Sequence, residues 1–293
     1  MSIVEKVVNR HVERGEVKPS QANEPKQTAR TPLAEAELAA DRSNIFAAVK
    51  GVVESEPESF ANNPSLMQDF KFLKRPLLAQ LFKPSNHGKS GHVVLVTSDL
   101  PGAGKSFVSL NLAVSIAQEQ LTEVILIDAD PLRRNLTVAL GLEEQAGLLE
   151  TLVDCNSHPA DFVIPSDIPS LHFIPAGQAR EDTTELLASQ RFGEVLKALD
   201  DSDKVIILDS PPLLLTAEAR VLVERSNHTL VVVEAGRTSA ADVAAVFKII
   251  GDTSLKVSLV LNKAPSSNHG HEAGYYGYGY GYGYEHGKKA LTE

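Results

Sequence analysis

The sequence predicts an α/β fold: a mostly parallel sheet with helices on both faces, carrying an appendage at each end. Three observations predict it. Short Val/Ile/Leu runs with little polar alternation recur through the middle of the chain, as expected of strands covered on both sides. Segments with apolar residues three and four apart separate them, which is the period of a helix. Composition then changes abruptly on either side of this middle, from apolar to polar before it and to Gly-Tyr alternation after it.

The first strand is HVVLVTS (92–98), followed by DLPGAGKS and then SFVSLNLAVSIAQ. In the last segment Phe107, Leu110, Ala113, Val114 and Ala117 fall at helical spacing. Strand, glycine turn and helix form the context in which Gly-Lys-Ser reads as a phosphate-binding loop. Gly102 and Gly104 let the backbone curl so that successive N–H groups converge at the positive end of a helix. Lys105 can reach β- and γ-phosphates, and Ser106 can place a hydroxyl on Mg²⁺. The fold is therefore expected to be that of a phosphate-loop NTPase using ATP and Mg²⁺. The strict pattern has glycine six residues before the lysine, where this chain has Asp99.

Further strands are read at EVILID (123–128), LHFIPA (171–176), KVIILD (204–209), HTLVVVEA (228–235) and LKVSLVLN (255–262). Helices follow at TELLASQRFGEVLKALDD, read as one element, at AEARVLVERS and at AADVAAVFKIIG. Ligands of such sheets sit outside the carboxyl ends of the strands. Asp99, Asp128, Asp130 and Asp209 all lie at or just past such ends, so the topology gathers acids on one rim. Asp209 is placed to hold a magnesium-bound water beside the loop. Asp128 and Asp130, two apart on an extended segment, are expected to point the same way. One would bind Mg²⁺ while the other accepts a proton from an attacking hydroxyl. Arg133 and Arg134 follow, as phosphate-neutralising cations or as a solvated face.

The organisation reads as four parts: 1–60, 61–87, 88–265 and 266–293. In the first, Ile3, Val4, Val7, Val8 and Val12 form one side of a short amphipathic helix, and 15–32 reads as a flexible linker. The second is a helical packing segment with Asn63 as N-cap and Pro64 in the first turn, and Pro76 opens a second short helix. Phe70, Leu73, Leu77 and Leu81 make its apolar face, and Gln68, Lys71 and Lys74 a polar stripe open to a neighbour. The third is the nucleotide-binding domain. The fourth contains all six tyrosines, Tyr275, Tyr276, Tyr278, Tyr280, Tyr282 and Tyr284, interleaved with glycine. Such a segment builds no core and reads as a disordered tether presenting phenols.

A net charge of −10 argues against a nucleic-acid partner. The single cysteine, Cys155, suits a reducing compartment. No stretch approaches the ~18–20 apolar residues that span a bilayer, and Glu5, Lys6 and Asn9 interrupt any signal-peptide core. The expected location is cytoplasmic, with attachment to the inner face of the membrane only through a partner.

Together, SDLPGAGKS, LIDAD, VIILDSPP and the C-terminal tyrosine cluster resemble the bacterial tyrosine kinases. Within them, SIVEKVVNRHVERG, FKFLKRPLL, IPAGQAREDTTELLASQRF and VVVEAGRTS are similar to cytoplasmic tyrosine autokinases of exopolysaccharide loci. The resemblance implies an autokinase that transfers the γ-phosphate of ATP to its tail tyrosines in trans and regulates exopolysaccharide polymerisation or export. It implies Lys105, Asp128, Asp130 and Asp209 as catalytic residues, with Asp128 the base, and Ser106, Asp128 and Asp209 around the metal. The nucleotide would contact Pro101, Gly102, Ala103, Gly104, Lys105, Ser106, Phe107, Arg133 and Asn262. The family's Glu-x-x-Arg-x-x-Arg ring-forming helix maps onto Gln68, Lys71 and Lys74, which keeps two cations and loses the acid. Partners implied are further copies of the chain in a ring or dimer, a membrane-embedded polysaccharide co-polymerase as activator, and a cognate tyrosine phosphatase. An extended chain spans at most ~3.3–3.6 Å per residue, so the stretch from Ser266 to Tyr275 reaches roughly 35 Å, enough to cross to a neighbour. The alternatives are a partitioning-type switch ATPase, disfavoured by Leu100 where such proteins carry an extra lysine, and a nucleotide-binding scaffold without transfer activity.

Overall fold

Successive side chains of a strand point to opposite faces, so an apolar run without alternation requires cover on both sides. The computed structural model, which describes residues 64–83, 91–119, 122–200, 204–251 and 256–264, supplies that cover. Strands β1 (Val93–Ser98), β2 (Glu123–Asp128) and β5 (Lys204–Asp209) are buried almost throughout. With β3 (Ile164–Pro165), β4 (Leu171–Ile174), β6 (His228–Glu234) and β7 (Lys256–Asn262) they form a seven-stranded sheet, in the order β3-β4-β2-β5-β1-β6-β7. All neighbours pair in parallel except β3 with β4. The readings for 1–60, for Asn63 and for 266–293 lie outside the described residues.

Alternation sorts the core into two layers. Val94, Val96, Val124, Leu126, Val205 and Ile207 face one side, under helices α1 (Pro64–Leu81) and α2 (Lys105–Ala117) and the short α3 (Asn135–Ala139). Val93, Leu95, Ile125, Ile127, Ile206 and Leu208 face the other. There they meet α4 (Leu148–Val153), α5 (Thr183–Ala188), α6 (Gln190–Leu199), α7 (Ala217–Arg225) and α8 (Ala240–Ile250). Each fully buried Val, Leu or Ile contributes about 1.5–3 kcal/mol. Helix α2 is buried without a break from Val108 to Ala117, because the sheet lies beneath it and α1 covers its outer side.

Three sequence readings are corrected. Pro76 does not divide the segment: α1 runs unbroken from Pro64 to Leu81 with Pro76 inside it. The proline sits on the exposed side, and one lost backbone bond is outweighed because Phe70, Leu77 and Leu81 stay in phase on the core. Conversely, TELLASQRFGEVLKALDD is two helices. Ser189 is extended and caps α6 by accepting from the Phe192 N–H, while Arg225 donates to the carbonyls of Ala188 and Ser189 at the break. Finally, Lys74 is not on a free polar stripe. It is 3% exposed, pairs with Glu119 at 2.9 Å and donates to the Ser115 carbonyl, which ties α1 to the end of α2. Gln68 and Lys71 remain exposed. Among the described residues no helix is long and apolar enough to cross a membrane.

Candidate active site

The register of the central strands brings the acids together. Asp128 and Asp209 lie abreast at the carboxyl ends of β2 and β5, and Val96 of β1 is the other neighbour of Asp209. The loop from Asp99 to Gly104 crosses this rim and enters α2. Gly102 and Gly104 have φ of 86° and 95°, the left-handed region that side chains other than glycine rarely adopt. Gly104 is the N-cap of α2 and offers no side-chain cap, so the first-turn N–H groups of a 13-residue helix have no side-chain acceptor. That is the composition of an anion site.

Beneath the loop, Asp209 accepts from the Ser106 hydroxyl at 2.6 Å and from Ser109 at 2.9 Å. Only 1% of Asp209 is exposed, and burial, reinforced by the charge of Asp128, pushes its carboxyl up to about 7. Lys105 is also buried. Desolvation lowers its ammonium pKa, while Asp209, Asp130 and Asp99 oppose that shift. One carboxylate oxygen of Asp99 is buried without a hydrogen-bond partner among the described residues. A buried acceptor without a donor is costly, and the Lys105 ammonium is the cation whose field acts on it.

Asp128 and Asp130 are engaged by different partners. One oxygen of Asp128 accepts from both the N–H and the hydroxyl of Thr137, at 2.9 and 2.8 Å, and the other accepts from the Asp130 N–H. Burial raises its pKa against these bonds. The Asp130 carboxylate accepts a longer bond from the Arg133 N–H, at 3.3 Å, and lies in the field of Lys105. Burial raises its pKa also. Of the two arginines, Arg133 stays exposed with its charge acting on Lys105 and Asp130. Arg134 turns away to donate to the Glu143 carbonyl at 2.6 Å.

Phe107 is half-buried with its ring centroid 6.4 Å from that of Phe70. It borders an open groove of 1020 Å³ between α1, the start of α2 and the end of β7, whose lining includes Leu259, Leu261 and Asn262. Asn262 donates its amide to the Ala103 carbonyl at 2.8 Å. Sequence reasoning did not single out Arg237 and Lys263, which also reach the loop, or Glu234, which pairs with both. Arg237 donates to the Pro101 carbonyl at 3.0 Å and Lys263 to the Gly102 carbonyl at 2.7 Å. Both cations are held by Glu234, whose carboxyl the Arg237 bond keeps below its ordinary range. Their position at the ends of β6 and β7, on the rim that carries the aspartates, was the available signal.

These residues suit a magnesium nucleotide. A cradle of left-handed glycines, a buried lysine and a serine hydroxyl already bonded to a strand-end carboxylate are the donor set it requires. Among the described residues no group of three or more His, Cys, Asp or Glu side chains forms a metal cage. Mg²⁺ takes one or two carboxylates and completes its shell with phosphate and water.

A family model described as an AAA domain (AAA_31) matches residues 91–262. The tyrosine-protein kinase YwqD of Bacillus subtilis (strain 168) is 31% identical over 185 residues, covering 63% of this chain and 77% of that protein. The chain belongs to the bacterial tyrosine kinase family. A second member, the tyrosine-protein kinase wzc of Salmonella typhimurium, is 27% identical over 251 residues, covering 85% of this chain but only 34% of its own length. Among solved structures, the BceF tyrosine kinase domain matches with a TM-score of 0.57 at 27% identity, over 78% of this chain and 86% of that one. The tyrosine-kinase resemblance read from the sequence thus holds, and so does the mostly parallel phosphate-loop fold. The chain spans about a third of the longer relative's length. The tyrosines from Tyr275 to Tyr284 lie outside the described residues.

Proposed function

We propose that this chain is an ATP-dependent protein tyrosine autokinase that phosphorylates its own C-terminal tyrosines in trans. The observation that carries the reading is the Ser106–Asp209 hydrogen bond beneath Lys105, set in a buried acidic rim and joined in one chain to a tyrosine-rich tail. In this reading Lys105 and the loop N–H groups hold the β- and γ-phosphates, and Ser106, Asp209 and Asp128 would hold Mg²⁺. Bound there, the ion neutralises phosphate charge and orients the γ-phosphoryl group. Pro101 to Phe107, Arg133 and Asn262 surround the nucleotide, and the groove beside Phe107 is large enough for a nucleoside.

A phenol from a neighbouring subunit then attacks the γ-phosphorus. A bond forms between its oxygen and phosphorus, the bond to the β–γ bridging oxygen breaks, and ADP leaves. The phenolic proton passes to the Asp128–Asp130 pair. Burial raises both pKa values, which makes a carboxylate a better proton acceptor. Each phosphotyrosine adds about −1.5 to −2 charges, enough over several sites to drive tails and subunits apart. Homo-oligomerisation, a membrane-embedded polysaccharide co-polymerase as activator and a cognate phosphatase complete the reading, with regulation of exopolysaccharide assembly as its outcome. Location at the inner membrane face would follow from the activator.

Incubating the full chain with Mg-ATP, with and without activator peptide, and mapping phosphate by mass spectrometry tests this. Phosphate on Tyr275–Tyr284 that disappears in Lys105→Met is the expected result. Release of inorganic phosphate without phosphotyrosine would replace the kinase with a switch ATPase, and neither product would leave a scaffold.

A further inference from the structure

Three consecutive carbonyls of the phosphate loop are each held by a side chain from outside it. Arg237 donates to Pro101, Lys263 to Gly102 and Asn262 to Ala103, at 3.0, 2.7 and 2.8 Å. All three donors come from the carboxyl ends of β6 and β7 or the turn that follows, hence from one side of the loop. The two cations are fixed in turn by Glu234, at 2.9 Å from Arg237 and 3.2 Å from Lys263. Lys263 is held in the left-handed region, with φ of 55°, a conformation that costs energy for a side chain of this kind.

A trans peptide places the carbonyl of one residue and the N–H of the next on opposite sides. The loop's peptide bonds are all trans. Fixing the carbonyls of Pro101, Gly102 and Ala103 outward therefore turns the N–H groups of Gly102, Ala103 and Gly104 the other way. The glycines are matched to these braces. A Cβ on Gly104 would meet the Asn262 amide nitrogen at 2.1 Å, and one on Gly102 would meet the Arg237 guanidinium at 3.2 Å.

We propose that Arg237, Lys263 and Asn262 are positioning residues that hold three loop carbonyls outward so that the opposite N–H groups face the nucleotide phosphates, with Glu234 fixing both cations. The assignment rests on the reading of this loop as a nucleotide site. Exposed ion pairs contribute little to stability, so the worth of these residues lies in direction rather than in folding energy. A loop already oriented does not have to be ordered when ligand arrives, and that raises affinity.

The test compares full-length wild type, the double variant Arg237→Met/Lys263→Met, the conservative pair Arg237→Lys and Lys263→Arg, and Lys248→Met. The last removes a cation from the exposed last turn of α8, away from the loop. Calorimetric titration with Mg-ADP should show at least tenfold weaker binding in the double variant. Most of the affinity should return in each conservative variant, and Lys248→Met should bind like wild type. In the nucleotide-free proteins, ¹⁵N relaxation at Gly102, Ala103 and Gly104 should report a rigid loop in wild type and a mobile one in the double variant. Unchanged loop order in the double variant would overturn the proposal, as would equal losses in Lys248→Met, which would reduce the effect to general charge attraction. If wild type failed to bind Mg-ADP while loop order still differed between the proteins, the nucleotide reading would fall and the brace would stand.

Discussion

The two sides of the phosphate loop are built on different physics. On the inner side Lys105, Asp99, Asp130 and Asp209 are withdrawn from water, and burial shifts the proton affinities of Lys105, Asp130 and Asp209. On the outer side Arg237 and Lys263 are about half exposed and paired with one carboxylate. Charge on the inner side is costly to maintain and useful in chemistry. Charge on the outer side is cheap to maintain and useful only for where it points. Substitutions on the two sides should therefore separate stability from function in opposite ways.

The largest expected effect is that of Lys105→Met, which should lower autophosphorylation by ~10³-fold, as removal of a phosphate-stabilising cation does. Quantitative phosphotyrosine blotting over time checks it, and residual activity near wild type would erase the contrast between the sides. Asp209→Asn should lower transfer by a smaller factor, about 10–100-fold, while making the nucleotide-free protein more stable at pH 8. The sign follows from proton uptake. Folded Asp209 binds its proton up to about pH 7, and the unfolded chain only near the ordinary value of 3.8. Within that window the native state holds more protons, so its stability falls as pH rises and levels off above 7. Denaturant melts from pH 4.5 to 8 should show this slope in wild type, amounting to a few kcal/mol, and a flatter profile in Asp209→Asn.

Asp130→Asn and Asp128→Asn sharpen the inner side further. Asp128 accepts three hydrogen bonds, two of them from Thr137 in α3. Its asparagine variant should lose both thermal stability and transfer, whereas Asp130→Asn should lose transfer with its melting temperature kept. Lys74 gives a buried charge outside the site. Lys74→Ala should cost about 1–3 kcal/mol by stranding the Ser115 carbonyl, and Lys74→Met less, because its stem still fills the space. The smallest effect belongs to the outer side: Glu234→Gln should leave the melting temperature where it is and weaken nucleotide binding severalfold. A melting temperature that fell with affinity would make that side structural.

Much of this was legible in the chain. The unalternating runs VVLVTS, EVILID and KVIILD announced covered strands, and their terminal aspartates followed from the rule that such sheets work at their carboxyl edge. What could not be read depended on residues distant in sequence. That Asp128 and not Asp130 is bonded by Thr137, nine positions on, depends on α3 packing beside β2. The burial of Lys74 depends on Glu119 and Ser115, which no local pattern connects to it. Pro76 reads as a breaker until the apolar face around it is seen to continue onto α2. Arg237 lies in VVVEAGRTS, but nothing local tells what it or Lys263 would touch, and only the pairing of those strands beside β1 brings them to the loop.

The Lys74 ion pair has one more consequence. Helix α1 cannot lift from α2 without stripping an ammonium of both its partners and wetting Phe70, Leu77 and Leu81. One cation and one apolar face thus fasten the two helices together, and Lys105 is the first residue of the helix to which the exposed Lys71 and Phe72 are tied in this way.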